Sequence, residues 1–81
     1  MNIVDFTTYV IENIVKNPDM VKVSSFEGEE DTTIIEILVS NSDMGSVIGK
    51  NGKNAKALRT IIGAYAYLNN IKKYKINIDS F

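Results

Sequence analysis

The stretch Val47-Ile48-Gly49-Lys50-Asn51-Gly52-Lys53-Asn54-Ala55-Lys56 places two glycines three residues apart, sets three lysines around them and contains no acid. A glycine weakens a helix by roughly 1 kcal/mol relative to alanine, and clustered like charges repel. Something outside the chain that offsets both costs would explain the pattern. Glycine at both ends of Gly49-Lys50-Asn51-Gly52 permits backbone conformations and close approach that a Cβ obstructs. A helix beginning near Lys53 directs free N–H groups and the positive end of its dipole at the turn. A phosphate docked there is held by backbone amides and helped by Lys50 and Lys53. Lys53, Lys56 and Arg59 follow at intervals of three and extend the positive field along an exposed side of that helix.

Working outward from the turn, apolar residues at Ala55, Leu58, Ile62 and Ala66, flanked by Ile61, Tyr65 and Leu68, predict a helix over 53–68 that stops at Asn69-Asn70. On the other side, Ser42 or Asp43 can cap a short helix over 43–48. Further upstream, Thr33, Ile35, Ile37 and Val39 alternate with Ile34, Glu36, Leu38 and Ser40, which predicts a strand over 32–40. Residues 20–26 alternate around Val21 and Val23 and predict its hairpin partner, joined through the acidic turn Glu27-Gly28-Glu29-Glu30-Asp31. Ile3, Phe6, Val10 and Ile14 have helical spacing, so residues 3–15 predict a first helix that Asn17-Pro18 ends. Tyr74, Ile76 and Ile78 alternate with Lys75, Asn77 and Asp79 and predict a last strand. The order is helix, strand, strand, helix, helix, strand. A helical crossover normally joins parallel strands. The expected product is a two-layer α+β domain over residues 1–81, with a three-stranded mixed sheet and helices on one face.

Composition narrows the chemistry. The chain has neither cysteine nor histidine, which removes disulfides, the common zinc sites and triad or Cys-His catalysis. No cofactor, metal site or small-molecule substrate is expected. No basic opening or cleavage site suggests a signal peptide, and no apolar run approaches a membrane span, so the expected location is the cytoplasm. The net charge of −1 argues against a polyanionic partner until it is divided. Residues 1–43 carry nine acids and two bases, or −7, and residues 44–81 carry seven bases and one acid, or +6. A polarised molecule with one basic face is enough to hold phosphates.

Val47-Ile48-Gly49-Lys50-Asn51-Gly52 resembles the Ile-Gly-x-x-Gly signature of KH domains, and the element order resembles the bacterial type II arrangement. The longer stretch from Asp43 to Lys53, followed by Ala55-Lys56-Ala57-Leu58-Arg59-Thr60, resembles the KhpA family of small single-KH proteins. The resemblance covers essentially the whole chain. It implies a type II KH fold and non-catalytic binding of single-stranded RNA, with the turn clamping the backbone of about four nucleotides. Gly49, Lys50, Asn51 and Gly52 would form the clamp. Val47, Ile48, Ala55 and Leu58 would line or support an adjoining apolar groove, with Ile37 as its opposite wall. Ala55 stands where many KH domains have a larger aliphatic. The family resemblance also implies a homodimer, or a heterodimer with a KhpB/Jag-like KH protein, and a role as RNA chaperone or post-transcriptional regulator linked to cell-wall synthesis, cell length and division. The small-residue pairs Gly45-Ser46 and Gly63-Ala64 are candidate surfaces for close protein contact.

Other readings differ in class. A KH fold that serves only as a protein adaptor would not need Lys50 and Lys53 at the turn. A phosphate-transfer enzyme would need the longer loop and Lys-Ser/Thr pair of a P-loop, which Gly49-Lys50-Asn51-Gly52 lacks. Tyr65 and Tyr67 read as packing or oligomer-surface residues, and Lys72, Lys73 and Lys75 as charges protecting an edge strand.

Overall fold

The computed structural model describes residues 1–81. Its elements are α1 (Ile3–Glu12), β1 (Lys22–Glu27), β2 (Thr33–Val39), α2 (Met44–Ile48), α3 (Lys53–Leu68) and β3 (Tyr74–Ser80). The sheet order is β1-β2-β3, with β1 antiparallel and β3 parallel to β2. This is the expected α+β architecture, a mixed three-stranded sheet whose apolar face is covered by helices. No helix is long and apolar enough to cross a membrane.

The period-2 pattern of β2 decides which face is covered. Ile35, Ile37 and Val39 are fully buried, whereas Ile34, Glu36 and Leu38 on the other face are half-buried. The helices meet the buried row with Ile3 and Ile11 of α1, Val47 of α2, and Leu58, Ile62 and Ala66 of α3; Ile76 of β3 completes the core. Each fully buried Ile or Val contributes on the order of 1.5–3 kcal/mol by removal from water. In a chain this short, these few residues supply most of the drive to fold.

The ends of the elements follow local chemistry. The Asn2 side chain caps α1 by accepting from the Asp5 amide at 2.8 Å. The first helix stops at Glu12 rather than at the expected residue 15. The amides of Ile14 and Val15 both return to the Ile11 carbonyl, at 2.9 and 3.2 Å, in a tightened last turn. Pro18 opens a single 3₁₀ turn, Pro18–Met20, so the first strand begins at Lys22 and not at residue 20. At the far end of α3, Asn70 takes φ 64° and the Ile71 amide reaches back to the Ala66 carbonyl at 2.9 Å. That is a Schellman-type stop, with asparagine in the left-handed position that glycine usually fills.

Tyr65 stacks on Phe6 with ring centroids 4.0 Å apart, and its hydroxyl donates to the Met1 carbonyl. It is therefore a packing residue, while Tyr67 is 75% exposed. Gly63 is buried, and a Cβ there would collide with the Tyr74 hydroxyl. The Gly63-Ala64 pair is thus no free surface for another protein at Gly63, because the Tyr74 ring already occupies the space. Gly45, by contrast, is exposed, with nothing within 4 Å of a built Cβ.

Thr7 of α1 is fully buried, and its hydroxyl has no hydrogen-bond partner. A buried hydroxyl without a partner costs roughly 1–3 kcal/mol, and valine has nearly the same shape. The Thr7→Val variant is expected to raise the melting temperature by about 5 °C in calorimetry. An unchanged or lower value would mean that the hydroxyl is satisfied in solution.

The sheet register also places the charges. Glu27, Thr33 and Tyr74 align at one end, and Lys22, Leu38 and Asp79 near the other. The acidic β1–β2 turn lies at the first end. β2 runs away from it and leads into α2, so the glycine turn follows the opposite end of the sheet.

Candidate nucleic-acid interface

The turn is built by unusual backbone states at three of its four residues. Gly49 has φ 75° and ψ 171°, a combination essentially restricted to glycine. Asn51 (φ 58°, ψ 26°) and Gly52 (φ 73°, ψ 15°) are both left-handed. Asparagine tolerates that region better than most residues. The two glycines are not equivalent. A Cβ on Gly49 would lie 2.7 Å from Asn54 Cγ and 2.9 Å from the Asn54 amide nitrogen, while a Cβ on Gly52 would meet nothing within 4 Å. Asn54 is held in turn by donating its side-chain amide to the Ser46 carbonyl at 2.8 Å, which ties the start of α3 to α2.

Hydrogen bonding inside the turn corrects one expectation. The Gly49 amide donates to the Gly45 carbonyl at 2.8 Å and the Gly52 amide to the Gly49 carbonyl at 3.1 Å. The Lys53 amide donates to the Lys50 carbonyl. The first N–H of α3 is therefore consumed within the turn. The bonds that close the turn engage the amides of Gly49, Gly52 and Lys53 and not those of Lys50 and Asn51, at the apex. Lys50, Asn51, Lys53, Lys56 and Arg59 are all exposed, and Ile48, Gly49 and Gly52 are half-buried. The structure thus gathers the basic residues along one exposed run, with the Lys50 and Asn51 amides at its tip.

The groove is placed differently from the sequence expectation. Ile37 and Val47 have no exposure, and Ala55 and Leu58 have 4% and 3%. Ile37 belongs to the inward row of β2 and lies beneath the helices, so it forms no open wall and acts only as support. An apolar depression of about 240 Å³ does border the turn, but it lies between α1 and α3. Val10, Ile14, Ala57, Leu58 and Ile61 line it, with Asn54 at the margin nearest the turn. Val10, Ile14 and Ile61 read in the sequence only as helix-core positions. The shared side of α1 and α3 emerges only once the two helices pack. No three His, Cys, Asp or Glu side chains come together in a set that could hold a metal ion.

Asp43 anchors the short helix that leads into the turn, and it does not do so as a cap. No side-chain cap bond forms at the start of α2. The buried carboxylate instead accepts from the Lys16 amide at 3.0 Å, the Asn17 amide at 3.1 Å, the Asn17 side chain at 3.0 Å and the Ser40 hydroxyl at 3.1 Å. The Lys16 amide is the main reason the carboxyl lies below its ordinary value of 3.8; burial opposes it, and Asn17 and Ser40 add to the lowering. Because the folded value is the lower one, the stabilisation is complete above the ordinary carboxylate range and is lost as pH falls through the depressed value. In Asp43→Asn, an NH₂ group faces backbone donors, so the melting temperature is expected to drop by roughly 10 °C at neutral pH. Below about pH 4 the variant should lose less further stability than the wild type. Parallel melting curves across the acid range would disprove the assignment.

A family model, KhpA/KhpB KH domain, matches residues 4–78. The chain belongs to the KhpA/KhpB KH-domain family. Among similar KhpA proteins, the "RNA-binding protein KhpA" of Chlamydia caviae is 40% identical over 68 residues, covering 84% of this chain and 86% of the relative. The protein of the same name from Clostridium acetobutylicum is 46% identical over 61 residues, covering 75% and 80%. Era, solved in complex with MgGDPNP and nucleotides 1506–1542 of 16S ribosomal RNA, aligns with 96% of this KH domain at a TM-score of 0.65 and 16% identity. The chain spans 29% of that Era chain, so the likeness bears on the KH fold alone.

Proposed function

We propose that this KH domain binds single-stranded RNA without catalysis, clamping the sugar-phosphate backbone at Gly49-Lys50-Asn51-Gly52. The observation that carries the reading is the apex of a basic, acid-free turn whose closing bonds do not engage the Lys50 and Asn51 amides. Two N–H donors beside lysine side chains suit a phosphate oxygen, and the open space beside Gly52 lets a phosphodiester approach the backbone. Lys53, Lys56 and Arg59 extend the field along the strand. Ile48 and the depression beside Leu58 offer apolar surface to bases that leave the clamp. The names of the KhpA relatives agree with an RNA ligand.

A footprint of a few nucleotides gives weak, salt-sensitive binding by one copy. Pairing with a second copy, or with a larger KhpB/Jag-like protein, raises avidity without new contacts. An RNA-chaperone or post-transcriptional role in the cytoplasm, with effects on cell wall and cell length, extends the same reading.

Oligouridine titrated into isotope-labelled protein tests the clamp. The Lys50 and Asn51 amide resonances should shift most. The logarithm of the binding constant should fall with the logarithm of salt concentration with a slope of about −0.7 per phosphate contacted. Resonances of residues 49–53 that stay fixed while a distant surface responds would overturn the reading.

A further inference from the structure

β3 is an edge strand of the sheet. The Thr33 amide donates to the Lys73 carbonyl at 2.9 Å, and the Phe81 amide donates to the Val39 carbonyl at 3.3 Å. Main-chain groups of one residue point to one side of a strand and alternate along it. The odd-numbered residues from Lys73 to Phe81 therefore face β2. Tyr74, Ile76, Ile78 and Ser80 turn their N–H and C=O groups to the free edge. An open cleft lies beside this strand, lined by Glu36 and Leu38 of β2, Arg59 of α3, and Ile76, Asn77, Ile78 and Asp79.

The sequence of β3 is complementary to itself. Reversed about Asn77, Lys75 falls opposite Asp79, Ile76 opposite Ile78, and Tyr74 opposite Ser80. The main-chain parity agrees. Ile76 and Ile78, both edge-facing, form a hydrogen-bonded antiparallel pair, as do Tyr74 and Ser80. Lys75–Asp79 and Asn77–Asn77 fall in the non-hydrogen-bonded pairs, where side chains approach more closely. The other edge lacks this match. In β1, Lys22 can oppose Glu27 only in a register that sets edge-facing residues against inward-facing ones, and that register forms no ladder. A lysine on an edge strand repels most strands. In β3 each lysine would instead meet the aspartate of an identical strand.

For the pairing with a second copy proposed above, we infer that the contact is β3 against β3, antiparallel and two-fold about Asn77, which joins two three-stranded sheets into one. The pairing is isologous and closes on itself. With the axis perpendicular to the sheet, both helical layers lie on the same side. The two glycine turns then lie toward opposite ends of the joined sheet, and the half-buried Ile78 gains an apolar neighbour.

The test is sedimentation of the full chain without RNA, together with cross-linking. Wild type should sediment as a dimer, and either Asp79→Lys or Lys75→Asp should weaken the dimer by about 10- to 30-fold. The swapped double variant, Lys75→Asp with Asp79→Lys, should restore it. The chain has no cysteine, so Asn77→Cys introduces a single thiol. It should form an oxidised dimer at least about tenfold faster than Ser24→Cys on the other edge strand, since Cα atoms in such a pair lie about 4.5 Å apart. A monomer at every concentration would overturn the pairing itself. A dimer that ignores the charge variants, or that cross-links equally at both positions, would overturn this surface and leave self-pairing standing. Circular dichroism of each variant separates loss of pairing from loss of fold.

Discussion

The variant carrying both Lys50→Asp and Asn51→Asp is expected to bind single-stranded RNA at least about 30-fold more weakly than wild type, with an unchanged melting profile. The loss combines several local terms. A hydrogen bond to a charged group contributes about 1.5–3 kcal/mol, which is roughly 10- to 100-fold in affinity. The variant removes the Lys50 cation and puts two carboxylates beside the donors meant for a phosphate. Both side chains are exposed, and aspartate accepts the left-handed conformation that Asn51 adopts at φ 58°. The fold should therefore survive. The salt dependence should become shallower by about one phosphate's share. Fluorescence anisotropy with a short labelled oligouridine measures both effects. Affinity within threefold of wild type would remove the turn from the interface, and a collapse of the circular dichroism signal would show that the variant tests folding instead.

The second large effect concerns stability. Gly49→Ala should destabilise the domain by about 3 kcal/mol, lowering the melting temperature by roughly 15 °C. Gly52→Ala should cost only about 1 kcal/mol. At Gly49 the methyl group meets both an unfavourable backbone state and the main chain of Asn54, 2.9 Å away, which is rigid because it opens α3. Relief would require breaking the Asn54–Ser46 bond that joins the two helices. At Gly52 only the left-handed conformation resists, and the new methyl points into open space. The RNA effects should rank differently. The Gly52 methyl stands where the phosphodiester would approach, so Gly52→Ala should lose affinity while remaining folded. Equal melting temperatures for the two variants would contradict the geometry.

Much of the architecture was legible because short-range pattern and long-range packing agree. The alternation of β2 named its buried row, Ile35, Ile37 and Val39, and the spacing from Ala55 to Ala66 named the inner side of α3. The site was legible to the extent that it depends on glycine conformation and clustered lysines. What escaped depends on distance along the chain. Asp43 looked like a cap because its neighbours in sequence allow one, yet its main partners, Lys16 and Asn17, lie 27 and 26 residues away. Gly63 looked like a small-residue surface because nothing local reveals that Tyr74 fills it. Ile37 could not be divided between core and groove wall until the helices were placed over it. The start of α3 was expected to offer free amides, but a 3₁₀-type bond to Lys50 uses the first of them, that of Lys53.

The opposed placement of the acidic hairpin turn and the basic glycine turn bears on how the molecule meets its ligand. Lys72, Lys73 and Lys75 lie at the end of the acidic turn and offset much of its charge. A nearly neutral particle of this kind feels little net pull from a distant polyanion, and its acid-free glycine turn attracts one as it comes near. Any long-range part of that attraction would fade once salt shortened the reach of the field to less than the 33 Å length of the domain.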